Sequence, residues 1–194
     1  MLSYEESLKI LKKTNALLEG YFILSSGLRS KQYIQCAKLL SYPKEAEKIC
    51  SSLCNKIDKY FKKIDIVLSP AVGGIVVGYE IGRQLNKETI FAERINNKLE
   101  IRRGFTIPIN SNVLIVEDVI TTGKSALECA EIVKKNKSNV VGYACIVDRS
   151  KKDVLIDEKI VSQIKFEITT FSEKEIPEEL KNIKPIKPGS RNLP

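Results

Sequence analysis

Residues 113–125, with the sequence VLIVEDVITTGKS, constrain the fold of this chain more than any other stretch. The apolar residues 113–116 predict a buried parallel strand. A turn rich in threonine, glycine and serine follows, and residues 126–135 repeat apolar side chains at helical spacing. The first turn of a helix leaves backbone N–H groups free and carries the positive end of the helix dipole. This strand, turn and helix therefore predict a binding site for a phosphate monoester.

Two acids, Glu117 and Asp118, stand between the predicted strand and the phosphate-binding turn. Carboxylates would repel a phosphate unless they have another task, such as accepting hydrogen bonds from sugar hydroxyls or binding Mg²⁺. The combination indicates a sugar phosphate as the ligand. The alternative is an ordinary turn in which both acids are solvated and Thr122 caps the helix. The G-K-S sequence at 123–125 does not complete a P-loop, because that motif requires glycine where this chain has Asp118.

Composition excludes several classes of protein. The chain contains no histidine, which rules out histidine-based triads, imidazole bases and histidine metal sites. No apolar run approaches the roughly 20 residues of a membrane span, and the acidic N-terminus lacks a secretory signal, so we expect a cytoplasmic protein without membrane partners. The net charge of +8 is spread along the chain without a basic, aromatic stripe, which argues against nucleic acid as a partner.

Strands alternate with helices along the chain, which predicts an α/β fold with a doubly wound parallel sheet. A capping box formed by Ser3 and Glu6 predicts a first helix that reaches about Leu18. The whole chain, 1–194, is predicted to be a single domain. It is divided into a small N-terminal flap or hood at about 20–40, a core at about 44–150 and a C-terminal extension at 151–194.

The flap and one polar insertion are the irregular parts of this pattern. Residues 21–24 and 32–36 are predicted strands, joined by a turn at residues 25–27. Residues 94–104 are polar and basic, and the turn signal Asn96-Asn97 predicts an exposed hairpin.

The 113–125 stretch resembles the phosphoribosyl-pyrophosphate (PRPP) motif of the type I phosphoribosyltransferases. Further stretches are similar to the orotate phosphoribosyltransferase family in particular. FILSSGLRSKQYIQCAKLL resembles its base-binding flap, SPAVGGI its pyrophosphate loop, and FAERINNKLEIRRGF its mobile catalytic loop. IVDRS resembles the strand end from which an arginine contacts orotate, and the closing KPGSR is typical of a subgroup. The resemblance runs from about residue 20 to the C-terminus.

This resemblance implies an enzyme that transfers the 5-phosphoribosyl group from PRPP to orotate, giving orotidine 5′-phosphate and pyrophosphate in the synthesis of UMP. It implies Mg²⁺ as the cofactor. It also implies a homodimer with shared active sites, in which the catalytic loop closes over the neighbouring subunit and excludes water.

The resemblance also assigns site residues. The catalytic residues would be Lys98, Arg94 and Asp118. The PRPP-binding residues would be Ala71, Val72, Gly73, Arg102, Arg103, Glu117, Asp118, Val119, Ile120, Thr121, Thr122, Gly123, Lys124 and Ser125. The orotate-binding residues would be Thr121, Arg149, Ser26 and Gly27. No residue is assigned as a metal ligand outright, because Mg²⁺ would arrive with PRPP, and Asp118 is the candidate side chain.

Arg149 also suits its role on chemical grounds, because a carboxylate-bearing base favours a planar, two-pronged cation. The alternative is a surface arginine paired with Asp148. The chain departs from the family pattern at Gly73, where well-known members carry lysine, and at Glu100, where they usually carry histidine. Arg102 and Arg103 would supply the missing positive charge.

Two other functions remain open at this point. A phosphoribosyltransferase for another base would not need Arg149 or the turn at 25–27. A regulator that senses PRPP without catalysis would not need the loop cations. Such regulators usually carry a DNA-binding helical domain, for which the residues before the flap are expected to be too few.

Overall fold

A computed structural model of the chain describes residues 1–24, 26–150 and 154–188. In chain order the elements are α1 (Tyr4–Lys13), β1 (Leu17–Ile23), β2 (Arg29–Ile34), α2 (Cys36–Leu40), α3 (Pro43–Tyr60), β3 (Ile66–Pro70), α4 (Gly73–Leu85), β4 (Glu88–Ile95), β5 (Lys98–Ile101), β6 (Asn112–Ile120), α5 (Lys124–Lys135), β7 (Asn139–Asp148), β8 (Ile160–Lys165) and β9 (Thr170–Phe171). Two short 3₁₀ helices follow, Glu173–Glu175 and Glu178–Leu180. None of the described helices is long and apolar enough to cross a membrane.

The main sheet has six strands in the order β5-β4-β3-β6-β7-β8. All neighbouring strands run parallel except β5, which pairs antiparallel with β4. One apolar core lies between the sheet and α3 and α4, and a second lies between the opposite face and α5. The prediction of a doubly wound α/β sheet is confirmed. The strand order reverses between β3 and β6, and ligands bind at the carboxyl ends of the strands at such a point.

Helix α4 lies unusually close to the sheet because glycines recur at every fourth position of its inner face. A Cβ atom on Gly78 would overlap the Ser69 hydroxyl and lie 3.0 Å from the Ser69 Cβ. A Cβ on Gly82 would overlap the Thr89 hydroxyl in the same way. The glycines therefore set the height of α4 above β3 and β4, and with it the position of the N-terminus of α4.

Replacing Gly78 with Ala should lower the free energy of unfolding by about 1–3 kcal/mol, because the added methyl overpacks the contact with Ser69. Chemical denaturation monitored by circular dichroism measures this. Ser69→Ala removes the overlapping hydroxyl, which has no hydrogen-bond partner among the described residues. The double variant should recover part of the loss. If Gly78→Ala and the double variant lose the same free energy of unfolding, the clash with Ser69 is not the cause.

The predicted flap is a second, three-stranded antiparallel sheet in the order β1-β2-β9. Because β9 comes from the C-terminal extension, both ends of the chain build this hood. The Ile186 N–H donates to the Tyr21 carbonyl at 2.8 Å, and the Ile23 N–H donates to the Ile186 carbonyl at 2.8 Å. Arg29 forms an ion pair with Glu173 at 2.9 Å. Most of the KPGSR stretch lies outside the described residues.

Three predictions about local structure were wrong. The first helix ends at Lys13, well before Leu18, because the Thr14 hydroxyl and N–H both bond to the Ile10 carbonyl and Asn15 turns the chain at φ +54°. Cys36 begins α2 and does not end a flap strand. Strand β6 continues to Ile120, so the two acids lie within it.

Candidate active site

Two helix N-termini meet at the carboxyl edge of the sheet. Helix α4 begins directly after β3, and α5 begins directly after β6, the neighbouring strand. Neither helix has a hydrogen bond from a side chain of its N-cap residue, Val72 or Gly123. Gly123 and not Thr122 is the N-cap residue of α5, although the Thr122 hydroxyl accepts the Lys124 N–H at 3.4 Å. Free N–H groups and two positive dipole ends thus face the same edge, an arrangement that suits anions.

The turn that leads into α5 is held in place by a segment that sequence reasoning did not connect with it. Gly123 has φ +79°, and a Cβ there would lie 2.7 Å from Ile156 Cδ1. The Leu155 N–H donates to the Thr122 carbonyl at 3.2 Å. Thr121, Thr122 and Lys124 are exposed, whereas Ser125 is half-buried. The outer side of the predicted phosphate cradle is therefore open to a ligand, and its inner side is packed.

Asp118 brings the cradle strand together with the predicted pyrophosphate loop. A Cβ on Gly73 would lie 2.9 and 3.0 Å from the two carboxylate oxygens of Asp118. The Val119 N–H donates to Asp118 Oδ1 at 2.9 Å. Burial raises the pKa of Asp118, and this hydrogen bond opposes the shift. Glycine at position 73 therefore lets the Asp118 carboxylate lie close against the start of α4.

Glu117 points to the opposite face of β6, since side chains alternate along a strand. Burial raises its pKa to about 8, with a further rise from the Asp118 charge and an opposing effect of Arg94. The raised pKa favours the neutral form of Glu117. A neutral carboxyl group removes much of the repulsion between this acid and a phosphate in the cradle.

Arg149 follows β7 and lies beside both the hood and the Asp118 strand. Its N–H donates to the Ile120 carbonyl at 2.8 Å, which fixes the backbone of Arg149 against β6. The guanidinium Nε is buried and has no hydrogen-bond partner among the described residues. Asp148 does not pair with it; the Asp148 carboxylate accepts the Ser150 N–H at 2.8 Å. The alternative of a surface arginine paired with Asp148 is therefore wrong.

Two residues near Arg149 were missed by sequence reasoning. Burial raises the pKa of Tyr33, and the nearby charge of Arg149 opposes this rise. The Tyr33 hydroxyl donates to Gln35 Oε1 at 3.0 Å, and its ring packs 5.8 Å from that of Phe22. The Cys36 thiol is buried 3.8 Å from the Asp118 carbonyl. Only their place in the predicted flap could have indicated these residues.

The hood turn lies at the surface. Ser26 and Gly27 are exposed, and Gly27 has φ +85°. Arg29 donates to the Gly27 carbonyl at 3.2 Å, and its Nε is also buried without a partner among the described residues. No described hydrogen bond joins Ser26 or Gly27 to Asp118 or Arg149. Ser25 lies outside the described residues.

The predicted catalytic loop is a hairpin formed by β4 and β5, and Asn96 and Asn97 adopt positive φ in its turn. Arg94 is close enough to Glu117 to lower the pKa of Glu117. Arg103 donates twice to Glu93, at 2.8 and 3.0 Å. Lys98 and Arg102 are exposed and form no ion pair with the described residues. The structure thus brings Arg94 near Glu117 and pairs Arg103 with Glu93.

The model of the phosphoribosyl transferase domain family matches residues 37–182, which include every strand of the main sheet and the cradle. The chain belongs to the phosphoribosyltransferase family. The orotate phosphoribosyltransferase of Methylorubrum populi is 46% identical to it over 191 residues, which are 98% of this chain and 97% of the relative. The enzyme of that name from Methylorubrum extorquens is 44% identical over the same shares of the two chains.

A solved structure of orotate phosphoribosyltransferase from Aeropyrum pernix shares the fold of this phosphoribosyltransferase, with a TM-score of 0.72 and 25% sequence identity. The match covers 81% of this chain and 92% of that chain. It confirms the type I phosphoribosyltransferase fold that the sequence predicted.

Proposed function

We propose that this phosphoribosyltransferase transfers the 5-phosphoribosyl group of PRPP to orotate, releasing orotidine 5′-phosphate and pyrophosphate, in the cytoplasmic synthesis of UMP. The buried, unpartnered Nε of Arg149 carries this proposal. A buried N–H group without a partner is costly, and a carboxylate can satisfy it together with a second guanidinium N–H through two parallel hydrogen bonds. Orotate is a pyrimidine that carries such a carboxylate. The names of the two Methylorubrum relatives support the same substrate.

PRPP would bind with its 5′-phosphate in the cradle at residues 121–125 and its ribose hydroxyls on Glu117 and Asp118. Asp118 accepts hydrogen bonds through both oxygens when it is ionised, whereas a protonated Glu117 both donates and accepts. The base would lie between Arg149 and Tyr33 of the hood, with Thr121, Ser26 and Gly27 contributing further polar groups. C1 of the ribose would then lie between the base and the pyrophosphate, as inversion at C1 requires.

Mg²⁺ would enter with PRPP. Among the described residues, no three cysteine or acidic side chains are grouped so as to hold a metal ion. The Asp118 carboxylate fits as a single protein ligand, because Mg²⁺ prefers oxygen donors and usually shares them with substrate phosphates. When bound, the ion neutralises charge on the leaving pyrophosphate.

The hairpin and the N-terminus of α4 would receive the pyrophosphate. Backbone N–H groups at residues 72 and 73 offer fixed donors, whereas the Ala71 N–H already donates to the Ala92 carbonyl at 2.7 Å. Lys98, Arg94, Arg102 and Arg103 offer mobile cations. Closing of the hairpin would bring these cations to the leaving group and exclude the water that otherwise hydrolyses PRPP.

A single assay tests the proposed function. Protein, PRPP and Mg²⁺ are mixed with orotate, and the loss of orotate absorbance is followed, with uracil and adenine as matched substrates. Consumption of orotate alone is the expected result. Consumption of adenine or uracil in its place would assign the enzyme to another base, and PRPP binding without any turnover would make the protein a regulator.

We also propose that the enzyme is a homodimer with shared active sites, joined through the outer face of α4. Val72, Val76 and Tyr79 follow one another at helical spacing on this face and are exposed by 82%, 50% and 65%. Large apolar side chains grouped in this way mark a contact surface. The face begins beside Gly73, so a second copy docked there would lie next to the site and within reach of a hairpin.

Tyr79→Glu should convert the dimer into a monomer, because it places a charge at the centre of the proposed contact. Size-exclusion chromatography with light scattering measures the mass. Tyr4→Glu is the matched control, since Tyr4 is also exposed but lies on α1. An unchanged dimer of normal thermal stability in the Tyr79 variant would exclude this face as the interface.

A further inference from the structure

Two of the three arginines that are expected to meet pyrophosphate, Arg94 and Arg103, are already bound by carboxylates of their own chain. Arg94 Nη1 donates to Glu128 Oε2 at 2.8 Å and to the Asn97 carbonyl at 2.8 Å. Arg103 donates through Nε and Nη2 to the two oxygens of Glu93, and its guanidinium lies 5.8 Å from the centre of the Phe91 ring. Each guanidinium thus has an internal counter-ion.

The contact with Glu128 differs from the contact with Glu93 in what it connects. Glu93 and Arg103 both belong to the hairpin region, so their ion pair does not connect the hairpin to the rest of the domain. Glu128 lies on α5, one turn after Lys124 at the start of the helix that forms the cradle. Through Arg94 and the Asn97 carbonyl, Glu128 ties the tip of the hairpin to that helix. Lys98 follows Asn97 directly, so the hydrogen bond to the Asn97 carbonyl also fixes the backbone position of Lys98.

The Arg94–Glu128 pair is only partly exposed, with 34% and 21% of the side-chain surfaces accessible. A pyrophosphate that approached Arg94 in this arrangement would also approach the Glu128 carboxylate, and like charges repel. Arg94 can give its charge to the pyrophosphate fully only after it leaves Glu128.

We propose that Glu128 is a positioning residue that holds Arg94, and with it the tip of the hairpin, in a resting arrangement that pyrophosphate must displace. The inference rests on the proposed function, because it takes Arg94 as a contact of pyrophosphate. Glu128 itself touches neither substrate nor product; it competes with pyrophosphate for one guanidinium. Its carboxylate thereby weakens the affinity for the leaving group and favours reopening of the site after transfer.

Isothermal titration with Mg²⁺ and inorganic pyrophosphate tests this. Glu128→Gln should tighten the Kd for pyrophosphate by about two- to fivefold, the size of effect that a partly exposed ion pair permits. Glu131→Gln is the matched control, because Glu131 is an exposed residue on the same helix with the same charge. It should change the Kd much less. In an Arg94→Ala background, Glu128→Gln should bring no gain.

An equal gain in pyrophosphate affinity in the Glu128 and Glu131 variants would show that net charge causes the effect, and it would overturn the inference. A gain that persists in the Arg94→Ala background would also overturn it, because the effect would not pass through Arg94. Orotate consumption by the same proteins reports on the proposed transfer separately. Failure to consume orotate would overturn the proposed function, whereas a gain specific to Glu128 and dependent on Arg94 would still support the role of Glu128.

Discussion

Replacing Arg149 with Gln should reduce kcat/KM for orotate by about 10²–10³-fold or more, since breaking a buried ion pair costs about 3–5 kcal/mol. The substrate carboxylate would enter the pocket without its cation, while the separate cradle would leave PRPP affinity nearly unchanged. Uracil lacks the carboxylate and leaves Arg149 unpaired, so the wild-type enzyme should reject uracil by several orders of magnitude. The ratio of kcat/KM for orotate to kcat/KM for uracil should fall in the variant, mainly because kcat/KM for orotate falls. Steady-state kinetics with both bases on both proteins measure this.

Arg29→Gln is the matched control for that experiment. The Arg29 Nε is also buried without a described partner, and Arg29 lies in the hood. Its Nη groups are bound to Glu173 and the Gly27 carbonyl, however, so its charge already has a counter-ion. Near-normal orotate activity in the Arg149 variant together with a large loss in the Arg29 variant would move the carboxylate contact to Arg29.

Replacing Asp118 with Asn should lower kcat/KM by about 10- to 100-fold, because a hydrogen bond to a charged group is worth about 1.5–3 kcal/mol. The amide has the same shape and still fits beside Gly73, so the fold and thermal stability should persist. Kinetics with PRPP as the varied substrate measure the loss. Unchanged turnover and unchanged PRPP affinity would remove Asp118 from the ribose site.

The same variant has a second readout that does not depend on activity. The charge of Asp118 is one cause of the raised pKa of Glu117, after burial. Asp118→Asn should therefore lower the pKa of Glu117 from about 8, which carboxyl NMR titration detects. Asp65→Asn is the control, since Asp65 accepts hydrogen bonds from Asn112 at the other end of β6. A Glu117 pKa that is the same in all three proteins would contradict the proposed coupling of the two acids.

Local sequence pattern predicted the exact bounds of some elements. It failed where tertiary contacts determine the secondary structure. A buried strand followed by Gly73 and Gly74, with apolar spacing that continues to Leu85, predicts a helix over 73–85, and α4 has these bounds. The first helix was predicted too long because Leu17 and Leu18 continue an apolar pattern that pairing with β2 turns into a strand. Local pattern also did not predict how far β6 extends. Its last residues pair with β7, and two acids in an apolar strand resemble the start of a turn.

The candidate site shows the same division. The cradle and Asp118 could be located from sequence because one continuous stretch contains them. Tyr33 and Cys36 could not, because only folding brings the hood against the Asp118 strand and Arg149. The engagement of Arg94 by Glu128 was equally hidden, since 34 residues separate the partners.

The construction of the hood from both ends of the chain has a consequence for how the protein is made. Synthesis on the ribosome runs from the N-terminus, so β1 and β2 emerge early but wait for β9 and Ile186 to complete their edges. Contacts between such distant parts of a chain form late, because long loops must close first. A nascent chain can thus fold the cradle before the hood is complete. The hood gains its third strand only after β9 has left the ribosomal tunnel.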